Sequence, residues 1–503
     1  MKILFLFTSH PRLNLIAQIQ LEILLKHVNQ GDEIFLLRSN KELVSTQTNY
    51  LTPDFAYYHY CKVYEKTLKI LKSQGGKVHS VEYFNDINIS DVNFNSIQEL
   101  KKFEFKGTNI GIGVASSIIS LYRDHLLDLK KYYKKILKEI KIAASVVSTL
   151  EITSKEIDPD LVYVFNGRMS SYSPVIQYCK KKQIKFKVFE FTSRYDKYHI
   201  LNGAIPHDVA YRELEMKNTW NKNHDLEAKT KISKNFFESQ RKGISLMEGS
   251  FITNQIENQI PFLDKNKEII TFFNSSIDEF ASVPGWENYI YVYDDETEAI
   301  WDICKKFEND ETKQFILRIH PNLKFLNNSQ VQNLEKLKDL NNLIIVDPTS
   351  SVSSYSLIDA SDKIITFGST IGIEACYFGK PSILLGMSFF DNLDVAYLPA
   401  TKNDLFEMIN NKILKAKSVE NVHIYGYWWM TFGEKFTQRE NKYLPSDLDP
   451  TKKEILVGML KKVASFSLWK RFLGAINPNT IKKIKNPTYR QAILRELKPW
   501  IKK

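Results

Sequence analysis

The 503-residue chain has no uninterrupted apolar run of about 18 residues, so no transmembrane helix is expected. Its opening apolar stretch, Met1-Lys-Ile-Leu-Phe-Leu-Phe7, stops at Thr8-Ser-His-Pro11. That is too short for the apolar core of a secretory signal and reads instead as a first buried strand. Cysteine is scarce. The four residues Cys61, Cys179, Cys304 and Cys376 are widely spaced with no CxxC pair, which excludes a disulfide framework and points to free thiols in a reducing, cytoplasmic setting. The ten histidines include no HExxH, and His59-Tyr-Cys61 alone is a weak metal signal, so no metal is expected. Acid is nearly missing from the C-terminus: residues 470–503 hold ten Lys/Arg against one Glu496. They supply +9 of the net +11, and the body is close to neutral. No RNA- or DNA-binding motif accompanies this charge, so nucleic acid is not an expected partner.

With 43% hydrophobic and 25% charged residues, the composition is that of a globular protein long enough for two or three domains. The informative stretch is 313–386. Gln314-Phe-Ile-Leu-Arg-Ile319 is a short apolar run bounded by Pro321, which predicts a buried parallel strand with Arg318, His320 and Asn322 at its C-terminal mouth. Lys363-Ile-Ile-Thr-Phe367 predicts a second strand, and Gly368-Ser369-Thr370 turns it directly into a helix carrying Glu374. A third, Pro381-Ser-Ile-Leu-Leu-Gly386, is reached through Gly379-Lys-Pro. Ligands of open parallel sheets bind outside the carboxyl ends of the strands, and free amides beside small hydroxyl residues suit a phosphate.

The pattern Arg-x-His-Pro-Asn, then Ser-Asp-x-Ile-Ile-Thr-x-Gly-Ser-Thr-x-Gly-x-Glu-Ala, then Gly-Lys-Pro resembles the donor-binding domain of bacterial surface-polysaccharide glycosyltransferases. The nearest group is the capsule polysaccharide synthesis family, which includes Kdo transferases, with His-Pro sialyltransferases more distant. CDP-glycerol phosphotransferases share Arg-x-His-Pro, but Phe-Gly-Ser-Thr stands here in place of their Asp-Tyr-Ser-Ser. The resemblance covers roughly residues 268–400. It implies a GT-B fold, two Rossmann-like α/β domains facing a central cleft, and a CMP-activated sugar such as Kdo or a sialic-acid-like sugar as donor. By it, His320 would contact the donor phosphate, flanked by Arg318 and Asn322. Ser369 and Thr370, after Gly368, would meet phosphate or carboxylate, and Glu374 the ribose or base. Ser275, Ser276 and Asp278 or Glu279, following the predicted strand Glu268–Phe273, match a Ser-Ser-x-Asp-Glu segment of such enzymes. The two serines would be donor contacts and an acid of that segment a catalytic candidate, against a bland reading in which Asp278 only caps a helix.

The first half opens strand, helix, strand (Lys2–Phe7, Leu13–Val28, Glu33–Leu37), a β-α-β unit whose first loop carries His10. Residues 93–160 read as almost wholly helical, broken at Gly107–Gly113. That loop would lead the next helix into the interdomain cleft, so that Arg123 faces an anionic substrate or pairs with Asp124. The strands Asp160–Phe165 and Ile184–Val188 read as adjacent β-α-β outlets that bring Asn166, Arg168, Glu190 and Arg194 to one mouth. Glu190 there is a candidate general base for an acceptor hydroxyl, or a simple partner of Arg168 or Arg194.

Near the end, Tyr425-Gly-Tyr-Trp-Trp-Met-Thr-Phe432 reads as interdomain packing or sugar stacking. Residues 454–476 carry a helical apolar stripe followed by the basic tail. The whole of 454–503 therefore suits either a helix folded on the body or one lying on an anionic membrane face, as a peripheral enzyme with a lipid-linked acceptor requires. The expected organisation is 1–245 acceptor-side domain, 246–415 nucleotide-sugar donor domain and 416–503 helical extension. The expected activity is metal-independent glycosyl transfer to a surface polysaccharide or glycolipid, without a cofactor. A nucleotide-sugar epimerase of the same fold and a non-catalytic export partner remain alternatives.

Overall fold

The computed structural model describes residues 1–437 apart from 9–13, 42, 45–52, 84–86, 88, 90–91, 193–195, 244–259, 261, 282 and 287–288. His10, Arg194 and the whole of 454–503 lie outside the described residues.

Two sheets organise the chain, one mostly parallel with an antiparallel edge at Lys197–Asn202 and Glu434–Lys435, the other wholly parallel. The first is built from β1 (Lys2–Leu6), β2 (Glu33–Arg38), β3 (Lys77–Glu82), β6 (Leu161–Phe165), β7 (Phe186–Phe191), β8 (Lys197–Asn202) and β14 (Glu434–Lys435), in the order β14-β8-β7-β6-β1-β2-β3. The intervening β4 (Glu104–Phe105) and β5 (Thr108–Asn109) form a separate small hairpin. The second sheet runs β11 (Leu343–Val346), β10 (Lys313–Arg318), β9 (Glu268–Phe273), β12 (Lys363–Thr366), β13 (Ser382–Leu384), every pair parallel.

The strand sequences explain why both sheets are covered on two faces. Successive side chains alternate sides, so in β1 Leu4 and Leu6 enter one apolar core while Ile3 and Phe5 enter another. In β9, Ile270 and Phe272 point into one core and Ile269 and Phe273 into its opposite. Continuous apolar runs of this kind need helices on both sides, the doubly wound arrangement. The fold is thus two Rossmann-like α/β lobes of the GT-B type.

Three sequence expectations change. Glu190 does not end a β-α-β outlet, because β7 turns back into antiparallel β8, with Glu190 opposite His199. Residues 93–160 are not wholly helical: β4 and β5 separate the helix Ile97–Lys101 from Gly111–Tyr122 and Tyr133–Ile157. The strand β3, absent from the reading of the sequence, is mostly solvent-facing and carries little apolar periodicity. The aromatic segment Val422–Thr431 is a helix packed on Leu226–Arg241, after which the chain returns to the first sheet as β14. Among the described residues, no helix is long and apolar enough to cross a membrane.

Candidate functional site

At the carboxyl ends of β9, β10 and β12 the second lobe opens into a cavity of about 400 Å³. After β9 it is lined by Ser275, Ser276 and Glu279, after β10 by His320 and Asn322 with Arg318 at the strand end, and after β12 by Gly368, Ser369, Thr370 and Glu374. Trp286, Phe389, Phe390 and Tyr425 form an aromatic wall. The loop after β13 thus covers the cavity with aromatic side chains, and Tyr425 joins them while its hydroxyl accepts from Trp429.

His320 is fixed through its backbone, whose N–H donates to Asn274 Oδ1 at 2.8 Å. Its Nδ1 accepts from the Asn322 amide at 3.2 Å. Burial, then the charge of Arg123, pushes the imidazole down to about 4, so it is neutral at pH 7. A neutral ring whose Nδ1 accepts carries its proton on Nε2 and is a donor from that side. Arg318 is buried and donates to the carbonyls of Asp347 at 2.5 Å and Ser350 at 3.2 Å. These partners are uncharged, so the guanidinium remains the cationic group lining the cavity.

Gly368 has φ +96°, and a Cβ there would stand 2.5 Å from the Met387 carbonyl, so the turn from β12 into its helix requires glycine. Behind it, Ser369 Oγ accepts from the Ile371 amide at 3.3 Å. The Glu374 carboxyl is bonded to the hydroxyl of Tyr355, and burial raises its pKa.

Of the first-lobe candidates, Arg123 and Arg168 lie at the seam rather than on the cavity wall. Arg123 takes a left-handed conformation at the end of helix Gly111–Tyr122 and crosses to the second lobe. Its guanidinium donates to Asp278 at 2.9 Å and to Ser276 Oγ at 3.1 Å. Neither the pair with Asp124 nor an open anion contact holds, since Asp124 itself bonds Ser329 of the second lobe. The same pair corrects the reading of Asp278. Its carboxylate is occupied by Arg123 and does not line the cavity, and it makes no helix cap, leaving no free carboxylate for acid or base chemistry. Arg168 also reaches the seam, donating to Ser116 Oγ at 2.8 Å, Ser120 Oγ at 3.3 Å and the Asp278 carbonyl at 3.4 Å.

Glu190 is therefore not the partner of Arg168. It accepts from Asn166 Nδ2 at 2.6 Å and from the Phe191 amide at 3.0 Å. Burial pushes its carboxyl up to about 7 against these bonds and the charge of Arg212. Such a carboxyl exchanges a proton near neutrality.

Reading the sequence missed Glu296 and Gln330. Glu296 accepts from the amide and hydroxyl of Ser275, and Gln330 bonds Ile277 N and Ser275 O, so together they hold the loop after β9 from behind. The available signal was small: Glu296 follows the helix cap Asp295 in an ordinary acidic first turn.

Residues 290–398 match the family model described as capsule polysaccharide biosynthesis protein. No curated protein matches the chain. Among solved structures, the β-Kdo 2,4-transferase KpsC of Thermosulfurimonas dismutans matches at 11% identity over 53% of this chain and 79% of its own, with a TM-score of 0.34. The UDP-GlcNAc 2-epimerase of Neisseria meningitidis, bound to UDP-GlcNAc, matches at 13% identity over 92% and 100%, with a TM-score of 0.25.

Proposed function

We propose, because residues 290–398 match the capsule polysaccharide biosynthesis family model, that this chain is a glycosyltransferase that moves a sugar from a nucleotide-activated donor to a surface glycan or glycolipid. The observation that carries the reading is the second-lobe cavity, where His320, Ser369 and the turn at Gly368 converge at the carboxyl ends of three parallel strands. His320 and Ser369 line the cavity and are the donors proposed for the developing phosphate charge, and Arg318 adds a fixed cation. Glu374 with Tyr355 provides polar atoms for the ribose or base, and the aromatic wall gives that part of the ligand an apolar surface.

The donor we favour is a CMP-sugar. One arginine and a neutral histidine are the basic side chains on the cavity wall, beside the carboxyls of Glu279 and Glu374. That balance suits a single phosphate better than two. Glu190 is the proposed base for the acceptor hydroxyl, and no metal is required where cationic and hydrogen-bonding side chains receive the leaving phosphate. The basic tail is proposed to hold the enzyme near an anionic membrane surface where a lipid-linked acceptor resides.

A panel of CMP- and UDP-sugars offered to the full chain tests this directly. Nucleotide should be released from a CMP-sugar, and His320→Ala should lower that rate at least ~100-fold while the thermal transition stays within a few degrees of wild type. Release from no activated sugar, or unchanged turnover in His320→Ala, overturns the reading.

A further inference from the structure

We propose that Glu296 is a positioning residue that sets the hydrogen-bond polarity of Ser275, making that hydroxyl an acceptor for a hydroxyl group of the bound nucleotide-sugar. This rests on the reading of the cavity as a nucleotide-sugar site.

Backbone amides only donate, and that fixes the direction of every bond around Glu296. The Ser275 amide lies 3.3 Å from each carboxylate oxygen. The Ile277 amide donates to Gln330 Oε1 at 3.1 Å, so that atom is the oxygen and Nε2 the donor, to Ser275 O at 2.9 Å and Glu296 Oε2 at 3.5 Å. Asn274 Oδ1 accepts from His320 N, which leaves its amide nitrogen as the donor toward Glu296. The remaining partner is Ser275 Oγ. An ionised carboxylate accepts only, so the serine proton points at Glu296 and its lone pairs are left for the cavity.

Ser276 is held the same way. Its hydroxyl donates to Asp278 at 2.6 Å and accepts from Arg123 at 3.1 Å. Ser369 is the opposite case, because it accepts from Ile371 N and keeps its proton for a ligand. The cavity therefore has two polarities: acceptors after β9, donors at Ser369 and His320. A phosphate only accepts and fits the second group. Ribose or sugar hydroxyls, which can donate, fit the first.

Glu296 is 1% exposed, and burial pushes its carboxyl up to about 7. Asp295 at the start of its helix raises it further, and Tyr289 feels its charge. On protonation the carboxyl becomes a donor to Ser275 Oγ and releases the serine proton, reversing the polarity. Glu296→Gln holds that reversed state at every pH, since its amide can donate to Ser275.

The test is the affinity of the full-length protein for the CMP-sugar it turns over, whose phosphodiester does not titrate between pH 6 and 8. Wild type should bind ~5–10-fold more tightly at pH 8 than at pH 6, the loss of about one hydrogen bond. Glu296→Gln should bind weakly with no slope across that range. Ser275→Ala should be equally weak and flat, Ser275→Thr should restore the wild-type profile, and Glu296→Gln with Ser275→Ala should be no weaker than either alone. Inorganic phosphate should bind Glu296→Gln at least as well as wild type. Wild-type affinity in Ser275→Ala, or a wild-type slope in Glu296→Gln, overturns the proposal while leaving the proposed function standing. If wild type binds neither nucleotide nor nucleotide-sugar, both fall together.

Discussion

Burial moves two of the candidate side chains in opposite directions, and chemistry follows from the direction. His320 is pushed down to about 4 and stays neutral, while Glu190 is pushed up to about 7 and changes charge near neutral pH. A base must be ionised, so turnover should rise as pH rises through about 7. Glu190→Gln should remove that limb and slow turnover ~100-fold or more, with CMP affinity unchanged in a binding titration. Lost affinity would move Glu190 into the donor site. Glu296 makes a stability prediction of the same kind. Its folded pKa lies above the usual 4.5, so its favourable contribution is complete below about 4.5 and is lost as pH rises to about 7. Chemical denaturation at pH 5 and pH 8 should show Glu296→Gln gaining on wild type by up to roughly 3 kcal/mol across that window. His320 could be found from the sequence because Pro321 stops the strand beside it. Glu296 could not, because nothing in Asp295-Glu296-Thr297 distinguishes a buried carboxyl from a helix's first turn.

At the scale of elements, what could be read beforehand were continuous apolar runs. β9, β10, β12 and β13 announce themselves because both faces are buried, whereas β3 and β8 alternate weakly and went unread. Missing β8 is what made Glu190 look like the end of a β-α-β outlet. The partners across the seam were also illegible: Arg123 and Asp278 are 155 positions apart, and no local periodicity links them. The helix Val422–Thr431 shows a third kind of information, since its aromatic residues pack while its glycine permits the approach. A Cβ on Gly426 would stand 2.4 Å from Ser233 Oγ and 2.7 Å from Phe237 Cε2 on the helix Leu226–Arg241. Gly426→Ala should therefore cost about 1–3 kcal/mol in denaturant unfolding, despite alanine's better helix propensity. A neutral or stabilising result would mean that these two helices can separate without loss.

For the whole molecule, the seam decides whether a base on one lobe can serve a donor held by the other. Glu190 is in the first lobe and the cavity in the second, so the proposed transfer requires the lobes to be held together during turnover. The lobes meet through apolar packing, with Val283 and Trp286 of the second lobe in the first-lobe core, and through polar contacts: Arg123 on Asp278, Arg168 on the Asp278 carbonyl, Asp124 on Ser329, and the Trp286 indole donating to the His207 carbonyl at 2.8 Å. Asp278 is the centre of this set, with a side chain 6% exposed against 34% for Arg123. Removing the arginine leaves a nearly buried carboxylate without its cation, and Arg123→Ala should destabilise by about 2–3 kcal/mol, discounted from a fully buried pair for the arginine's exposure. Asp278→Ala in the same chain removes the orphaned charge. The double variant should therefore be less destabilised than the two single variants added together by at least about 1 kcal/mol. Its turnover should remain depressed even so, with kcat reduced more than the affinity for CMP, because Ser276 is the cavity side chain that loses its partners while His320, Ser369 and Ser275 keep theirs, and the lobes are less often closed. Additive stabilities would show that Arg123 and Asp278 are not coupled in solution, and a double variant with full kcat would show that closure does not depend on this pair.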